Sequence, residues 1–315
     1  MPQQSLPNFF LIGVPKAGTT SLHGALGRHP DIGMSAVKEP KYFLTDQRPV
    51  KYTGPGDDYC APVICDPDEY AALFAPLSDR PIRGESTPFY LWDPVALERI
   101  RTRVPDAKLV VVLRRPDERA YSNWSHMCAI GREPLLDFVA AWREEDRRLQ
   151  AGWEPFWAYR SLGCYGSQLQ RLLEIFPREQ LHVVRYDDYS RDPGAAIDGI
   201  CGFLGVGPFP ADEPASVQRD NVHEFAPPSR RHRAMYAVLR SRHVVRPFLP
   251  ATLQRAGRRV IEGQLKRNPG GSRPTVPVDA LEEVRDYYRH DIELTAKLLA
   301  LELDDWLQPS PAATA

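Results

Sequence analysis

FFLIGVPKAGTTSL, residues 9–22, has the pattern of a buried strand, a tight turn and the start of a helix. The strand predicted over 8–14 is almost continuously apolar and ends at Gly and Pro, as in a strand covered on both faces. Backbone N–H groups at a helix N-terminus lack partners within the helix, so they attract anions. We name residues 15–20, PKAGTT, the anion loop. The pattern predicts an anion site built from Lys16, Ala17, Gly18, Thr19, Thr20 and Ser21.

Further along the chain, apolar strands alternate with amphipathic helices. KLVVVL at 108–113 and LHVVR at 181–185 are predicted strands, and 82–85 is a shorter one. Helices are predicted over 18–26, 93–104, 135–149, 166–176, 193–204 and 278–303. This alternation predicts an α/β fold, a P-loop-like three-layer α/β/α arrangement with a central parallel sheet. We expect one domain over 1–308, with a basic, irregular lid or insert at 211–277 and a disordered tail at 309–315.

The anion loop differs from the nucleotide-binding P-loop in the position of its lysine. A P-loop places Lys directly before a Ser or Thr whose hydroxyl holds magnesium. Here Lys16 comes early, and strand 108–113 runs into Arg114 and Arg115 where a magnesium-binding Asp would be expected. The sequence therefore predicts an anion site that works without a metal.

Bulk composition excludes several classes of protein. The chain has 315 residues, 43% hydrophobic and 26% charged, with a net charge of −1, so it is neither disordered nor a general nucleic-acid binder. Residues 219–273 carry thirteen Lys and Arg against three Asp and Glu. That basic segment is either a solvated helical face or a positive wall beside an anionic ligand.

Cysteine usage and the apolar segments point to a location. Five cysteines without zinc-site spacing predict reduced thiols. No signal peptide or membrane-spanning segment is predicted, since the apolar run at 9–14 is far too short to cross a bilayer. We expect a cytoplasmic protein.

Several motifs, in one order, resemble those of sulfotransferases that use 3′-phosphoadenosine 5′-phosphosulfate (PAPS). PKAGTTSL and VVLRRPDERAYSNW each follow a strand, and HPDIGMSAVKEPKYF, GESTPFYLWDP, GCYGSQLQRLLEIFP and VRDYYRHDIELTAKLL extend the match. The pattern is most similar to the heparan sulfate N- and 3-O-sulfotransferase domains. The similarity covers most of the chain, with 227–270 poorly matched.

The resemblance implies roles for residues that bind the donor. The anion loop, with Lys16, would hold the 5′-phosphosulfate. Arg114 and Ser122 match the positions that contact the 3′-phosphate, and a bidentate Arg suits a phosphate. Tyr186 matches a tyrosine near the adenine, and Arg273 resembles part of a late basic loop over the 3′-phosphate. Arg115 stands where relatives often have Asp.

The resemblance also implies the residues of the acceptor side. Glu39 aligns with the catalytic glutamate of the family and is the first candidate for the base, with Lys16 assisting the leaving group. His126, one turn after Ser122, is the second candidate for the base. Glu85 and Lys41 are the predicted substrate-binding residues. Ser86 replaces a lysine that is common in the heparan enzymes, which weakens an inference of a heparan-like acceptor.

Three functions remain open at the level of sequence. The first is a PAPS-dependent sulfotransferase (EC 2.8.2 class) that acts on a hydroxyl, or an amine, of a carbohydrate, glycolipid or specialised metabolite. The second is a P-loop kinase of a small molecule, which would need ATP and magnesium. The third is a non-catalytic module that binds a nucleotide or a sulfated glycan. None of the three predicts a nucleic-acid partner.

Overall fold

A computed structural model of the protein describes residues 6–48, 50–54, 63–130, 132–210 and 278–309. The predictions made for 211–277, including Arg273 and the basic segment at 219–273, lie outside the described residues. The prediction for the tail beyond 309 lies outside them as well.

A five-stranded sheet forms the centre of the described chain, and each pair of neighbouring strands is parallel. The order across the sheet is β2-β3-β1-β4-β5. The strands are β1 (Phe9–Gly13), β2 (Ile32–Met34), β3 (Ile82–Ser86), β4 (Lys108–Leu113) and β5 (Leu181–Arg185). The predicted α/β class with a central parallel sheet is confirmed.

Strand β1 is the middle of the sheet, which explains why its sequence is apolar without alternation. All five of its residues are buried, and Phe9 lies opposite Gly84 on one side and Lys108 on the other. Glycine is required at residue 84, opposite Phe9. A Cβ there would come within 2.5 Å of the Phe9 ring and 2.6 Å of the Met34 sulfur.

Helices cover the sheet on both faces, as parallel sheets require. Proline occupies the first turn of α4 and of α9, where its missing N–H costs nothing. The helices are α1 (Thr19–Leu26), α2 (Pro67–Ala72), α3 (Ala96–Arg103), α4 (Pro116–Ala129), α5 (Phe138–Arg143), α6 (Glu145–Gln150), α7 (Tyr165–Ile175), α8 (Tyr186–Arg191), α9 (Pro193–Leu204), α10 (Val278–Leu299) and α11 (Asp304–Leu307). None of the described helices is both long and apolar enough to cross a membrane.

Several predicted boundaries are confirmed, and two helices differ from prediction. The strands at 108–113 and 181–185 and the helix at 193–204 have the predicted bounds. The single helix predicted over 135–149 is wrong, because the chain forms α5 and α6 with a break at Glu144. The last long helix ends at Leu299 rather than at residue 303, because Ala300 adopts a left-handed conformation with φ of 52°.

The topology brings three strand ends to one edge of the sheet. In the sheet, β2 and β3 lie on one side of β1, and β4 and β5 lie on the other, so the strand order reverses at β1. Ligands of open α/β sheets bind at the carboxyl ends of the strands, where the strand order reverses. The loops after β1, β2 and β4 carry Lys16, Glu39 and Arg114. Arg114 donates to the Lys16 carbonyl, and the Glu39 N–H donates to the carbonyl of Ser86 at the end of β3, so the three loops lie at that edge.

Candidate functional site

The anion loop connects β1 to α1 in a compact turn. The Val14 N–H donates to the Val112 carbonyl at 3.0 Å, and the Ala17 N–H donates back to Val14 at 3.3 Å. Gly18 has φ of 77°, and a Cβ at this position would lie 2.9 Å from the Tyr189 ring. Glycine is therefore needed at residue 18 both for its backbone conformation and for the close approach of α8.

Lys16 lies in an electropositive and partly buried place. Burial, and after it the Arg114 guanidinium, lower the pKa of Lys16 to about 8, against the opposing effect of Glu39. Its own backbone is left-handed, with φ of 71°. Burial and the neighbouring cation disfavour the charged form of Lys16, so an anionic ligand bound there would stabilise that form.

The Arg114 side chain contacts the anion loop, α4 and α8. One terminal nitrogen donates to the Lys16 carbonyl at 3.1 Å, and the other donates to Glu118 at 3.3 Å. The guanidinium lies 4.6 Å from the centre of the Tyr186 ring, within the range of a cation–π contact. The structure thus brings together Lys16, Arg114 and Tyr186, which the sequence placed at one cofactor site.

Glu39 stands between two lysines at the other side of the anion loop. Its carboxylate is 2.5 Å from the Lys38 ammonium and 3.8 Å from that of Lys41. Burial acts to raise the pKa of Glu39, but Lys38, Lys41 and Lys16 outweigh it and hold that pKa below its usual value. Glu39 is therefore ionised near neutral pH and able to accept a proton.

Helix α4 carries the predicted Ser122 and His126. Both side chains are partly buried and lie one turn apart. The His126 ring is 5.9 Å from the Phe156 ring, and the neighbouring Asn123 side chain donates to the Phe156 carbonyl at 2.8 Å. His126 therefore lies beside the segment around Phe156. The predicted roles of Ser122 and His126 stay predictions.

Glu85 lies inside the core. It is fully buried, and the hydroxyl groups of Tyr70, Tyr90 and Thr87 surround its carboxyl group. Within the described residues, their geometry falls short of a regular hydrogen bond to either oxygen. Burial raises the pKa of Glu85 to about 8, so the group is protonated at neutral pH. Its predicted contact with the acceptor stays a prediction.

The hydroxyl groups around Glu85 also support the segment that carries Glu39 and Lys41. The Lys41 N–H donates to the Thr87 hydroxyl and the Phe43 N–H donates to the Tyr90 hydroxyl, each at 3.3 Å. The buried hydroxyl groups therefore fix the backbone of the segment that carries Glu39 and Lys41.

A histidine that the sequence reasoning missed lies next to Glu39. His23 Nδ1 is 2.8 Å from the Ser86 hydroxyl, and burial together with Lys38 lowers the pKa of His23 to about 4. Ser86 also accepts, through its carbonyl, the N–H of Glu39 at 2.9 Å. His23 follows Thr19 by one helical turn, and this spacing was the signal that could have placed it beside the loop.

Arg115 is a structural residue. Its guanidinium forms two 3.2 Å contacts with Asp117, and it donates to the carbonyls of Asp305 and Gln308 at 2.9 and 2.6 Å. It therefore joins the start of α4 to the C-terminal helix α11.

Acidic, cysteine and histidine side chains of the described residues bear on metal binding. Among them, no group of three or more His, Cys, Asp or Glu side chains is arranged to hold a metal ion. That the donor binds without a metal stays a prediction.

Comparison with known proteins gives a family match. The family model described as "Sulfotransferase domain" matches residues 6–225. A crystal structure of a sulfotransferase from Alicyclobacillus acidocaldarius superposes with a TM-score of 0.71 at 29% sequence identity, covering 96% of this chain and 99% of that one.

Curated relatives match over about two thirds of the chain. The bifunctional heparan sulfate N-deacetylase/N-sulfotransferase 2 of Homo sapiens is 29% identical over 65% of this chain and 22% of its own length. The membrane-associated sulfotransferase kil1 of Dictyostelium discoideum is 24% identical over 64% of this chain and 56% of its own. Carbohydrate sulfotransferase 15 of Mus musculus is 25% identical over 68% and 46%. The match thus spans between about a fifth and somewhat more than half of each relative.

Proposed function

Because this chain belongs to the sulfotransferase family, we propose that it transfers a sulfuryl group from PAPS to a hydroxyl group, or an amine, of a carbohydrate, glycolipid or specialised metabolite. The observation that carries the proposal is the juxtaposition of Lys16 and Arg114 with an ionised Glu39 at the carboxyl edge of the sheet. Such a site combines a place for an anionic leaving group with a base for the acceptor.

The residues present fit the donor. The glycine of the anion loop lets the main chain approach a phosphate closely, and the start of α1 favours its charge. Lys16 would contact the 5′-phosphosulfate, and Arg114 and Ser122 would contact the 3′-phosphate. The ring of Tyr186, already packed on Arg114, would lie against the adenine. When bound, PAPS supplies the activated sulfuryl group.

The side chains then divide the work of catalysis. Lys16 stabilises the negative charge that gathers on the leaving phosphate, because it is positioned and positive before the reaction begins. Glu39 accepts the proton of the acceptor hydroxyl at a carboxylate oxygen. Lys38 and Lys41 keep Glu39 ionised, so that the base is available near neutral pH. The variants Glu39→Gln and His126→Asn distinguish Glu39 from His126 as the base.

Calorimetry with adenosine 3′,5′-bisphosphate tests the donor site. We expect tight binding that is unchanged by a chelator, and weak binding of ATP with or without magnesium. Binding of ATP with magnesium alone would replace this function by that of a small-molecule kinase. Bisphosphate binding with full retention of every activity in Glu39→Gln and His126→Asn would favour a non-catalytic binding module.

A cytoplasmic location is part of the proposal. It is supported by the described cysteines Cys65, Cys128, Cys164 and Cys201, none of which forms a disulfide. Reduced thiols persist in reducing compartments.

A further inference from the structure

His23 lies between the helix that begins in the anion loop and the strand that supports Glu39. It is half-buried on α1, one helical turn after Thr19. Its Nδ1 atom is 2.8 Å from the hydroxyl oxygen of Ser86, the last residue of β3. Ser86 itself is fully buried. The contact therefore joins α1 to the end of β3 inside the protein.

Ser86 is also the backbone partner of the candidate base. Its carbonyl accepts the N–H of Glu39 at 2.9 Å. The backbone of Glu39 is left-handed, with φ of 60°, a conformation that a residue with a side chain adopts only where its surroundings hold it. Ser86 thus contacts His23 through its hydroxyl and holds Glu39 through its carbonyl.

Two further contacts hold the same segment on either side of Glu39. The Ser35 N–H donates to the Gly84 carbonyl at 2.8 Å, and the Lys41 N–H donates to the Thr87 hydroxyl at 3.3 Å. These contacts fix where the segment begins and ends beside β3. The contact with the last residue of β3 is the one that acts on the backbone of Glu39 itself.

His23 acts on this segment as a neutral group. Burial, and after it the charge of Lys38, lower the pKa of His23 to about 4. The Lys38 ammonium is 2.5 Å from the Glu39 carboxylate, and Lys41 lies on the other side of that carboxylate. A neutral imidazole makes its contact with Ser86 without adding a third positive charge, which would weaken Glu39 as a base.

We propose that His23 is a positioning residue, which acts through Ser86 to fix Glu39 in place relative to a donor bound at the start of α1. This role rests on the proposed function and adds to it a residue that does not touch either substrate. Because α1 begins in the anion loop, one helix would then align both the donor and the base. Alignment matters, since a displacement of about 1 Å can lower the rate about 100-fold.

Turnover is measured with PAPS labelled in the sulfuryl group and with water as the acceptor, so that the assay does not depend on the natural acceptor. The water oxygen forms a bond to sulfur while the bond between sulfur and the phosphate oxygen breaks. One proton of the water passes to Glu39. The products are labelled sulfate and adenosine 3′,5′-bisphosphate, which keeps the electron pair of the broken bond.

Two variants of His23 separate hydrogen bonding from packing. His23→Leu keeps the bulk of the side chain without its nitrogen atoms, and we expect kcat to fall about 10- to 100-fold. The Kd of the bisphosphate, measured by calorimetry, should change less than about threefold, because the donor contacts are intact. His23→Asn places an amide where Nδ1 stands, so it should restore most of kcat.

Hydrogen–deuterium exchange tests the position of Glu39 without any turnover. The Glu39 amide is protected by its bond to the Ser86 carbonyl. In His23→Leu we expect this amide to exchange about tenfold faster or more, because the segment opens more often. In His23→Asn the exchange should return close to that of the wild type.

A double-mutant cycle tests whether His23 acts through Ser86. Ser86→Ala removes the hydroxyl and keeps the carbonyl, so it should lower kcat about as much as His23→Leu does. The variant with both changes should be no slower than either single variant, because each removes the same interaction. Losses in kcat that simply multiply would overturn the connection through Ser86.

His29 provides the matched control. It is also a buried histidine, and its Nε2 atom is 3.0 Å from the carbonyl of Gly207 rather than from a residue of the candidate site. His29→Leu should lower the stability to urea and leave kcat of the folded protein and the exchange of the Glu39 amide unchanged. Equal falls of kcat in His23→Leu and His29→Leu would overturn the positioning role, as would failure of His23→Asn to restore kcat.

The remaining outcomes separate the positioning role from the proposed function. Bisphosphate binding and turnover that are both normal in His23→Leu, with normal exchange at Glu39, overturn the positioning role and leave the sulfotransferase function intact. Absence of bisphosphate binding in the wild type overturns the proposed function, and the positioning role with it. If the wild type binds the bisphosphate and does not hydrolyse PAPS, exchange at Glu39 decides, and an unchanged rate in His23→Leu overturns the role.

Discussion

We expect Lys16 to make binding of the proposed donor dependent on pH. With a pKa of about 8 in the free protein, its ammonium is largely charged at pH 7 and largely neutral at pH 9. An anionic ligand binds the charged form, so above pH 8 binding requires uptake of a proton. We expect the Kd for adenosine 3′,5′-bisphosphate to rise about 15-fold between pH 8 and 9.5, as measured by calorimetry.

Lys16→Arg is the matched variant for this prediction. A guanidinium stays protonated over this range of pH, so the Kd of the variant should be flat between pH 7 and 9.5 even if its value is higher. A wild-type protein with a flat profile would show that Lys16 does not face the ligand.

Glu39 is expected to affect turnover far more than binding. Glu39→Gln keeps the size of the side chain and removes the proton acceptor, so kcat should fall about 10²- to 10⁴-fold. The Kd of the bisphosphate should change by less than a factor of about 5, since Glu39 itself bears no charge that favours an anion. Rapid-quench assays with labelled PAPS measure kcat, and calorimetry measures the Kd of the bisphosphate. The same measurements are made on His126→Asn. Normal turnover in Glu39→Gln with loss in His126→Asn would assign the base to His126.

At the scale of residues, the sequence indicated candidate members of the site but not their environment. The loop pattern indicated Lys16, and the family motifs indicated Glu39 and Arg114. The backbone of Lys16, Glu39 and Lys41 is left-handed, with φ of 71°, 60° and 59°. Residues with side chains rarely adopt this conformation, and no pattern in the sequence announces it. Its occurrence at three predicted site residues is the kind of local strain that gathers at functional sites.

Among the elements, α7 depends on a residue from a distant helix. Its N-cap position, Cys164, provides no side-chain hydrogen bond. Instead Asp291 of α10 accepts the N–H groups of Gly166 at 2.7 Å and Ser167 at 3.1 Å. A Cβ on Gly166 would come within 2.7 Å of the Asp291 carbonyl, so the two helices meet closely there. Asp291 therefore caps α7 and joins it to α10.

Removal of this cap should be costly. We expect Asp291→Ala to lower the free energy of unfolding by about 1–2 kcal/mol, measured by urea denaturation. Asp286 lies on the same helix and pairs with Arg289 at the surface. Asp286→Ala should therefore cost less than about 0.5 kcal/mol. Equal losses in both variants would argue against the cap.

Elements with long apolar patterns were predictable, and elements set by distant contacts were not. β4, β5 and α9 have the bounds that their sequences predict. β2 was missed because it has three residues, too few for a periodic signal. The break between α5 and α6 was missed because the buried positions on both sides, among them Ala141, Trp142, Glu145 and Arg148, continue one helical face. α8 was missed because its six residues, YDDYSR, are mostly polar.

For the whole molecule, Glu85 should set how stability changes with pH. The folded protein holds the Glu85 proton up to about pH 8, whereas an unfolded chain releases it near 4.5. Unfolding therefore releases a proton from Glu85 in this range, and the contribution of Glu85 to the free energy of unfolding should fall as pH rises from about 4.5 to about 8. The upper limit of the fall is about 5 kcal/mol.

Glu85→Gln isolates this effect. His23 has the opposite influence, because its folded pKa of about 4 makes stability fall as pH drops below about 6.5. The two effects offset each other below about pH 6.5, so the wild type should decline between about pH 6.5 and 8. Glu85→Gln should lose that decline and should become less stable as pH falls below about 6.5, as measured by urea denaturation at a series of pH values. An unchanged decline above pH 6.5 would mean that Glu85 is ionised in the folded protein.

The clamp formed by Arg115 has a practical consequence for handling the protein. Residue 114 is held by the Tyr165 hydroxyl through its carbonyl, while the adjacent residue 115 grips the backbone near the end of the described chain. Shortening the chain before α11, or fusing a bulky tag closely behind it, would loosen the very peptide from which Arg114 projects. An affinity tag is better attached at the N-terminus, so that measurements on the candidate site report on its native structure.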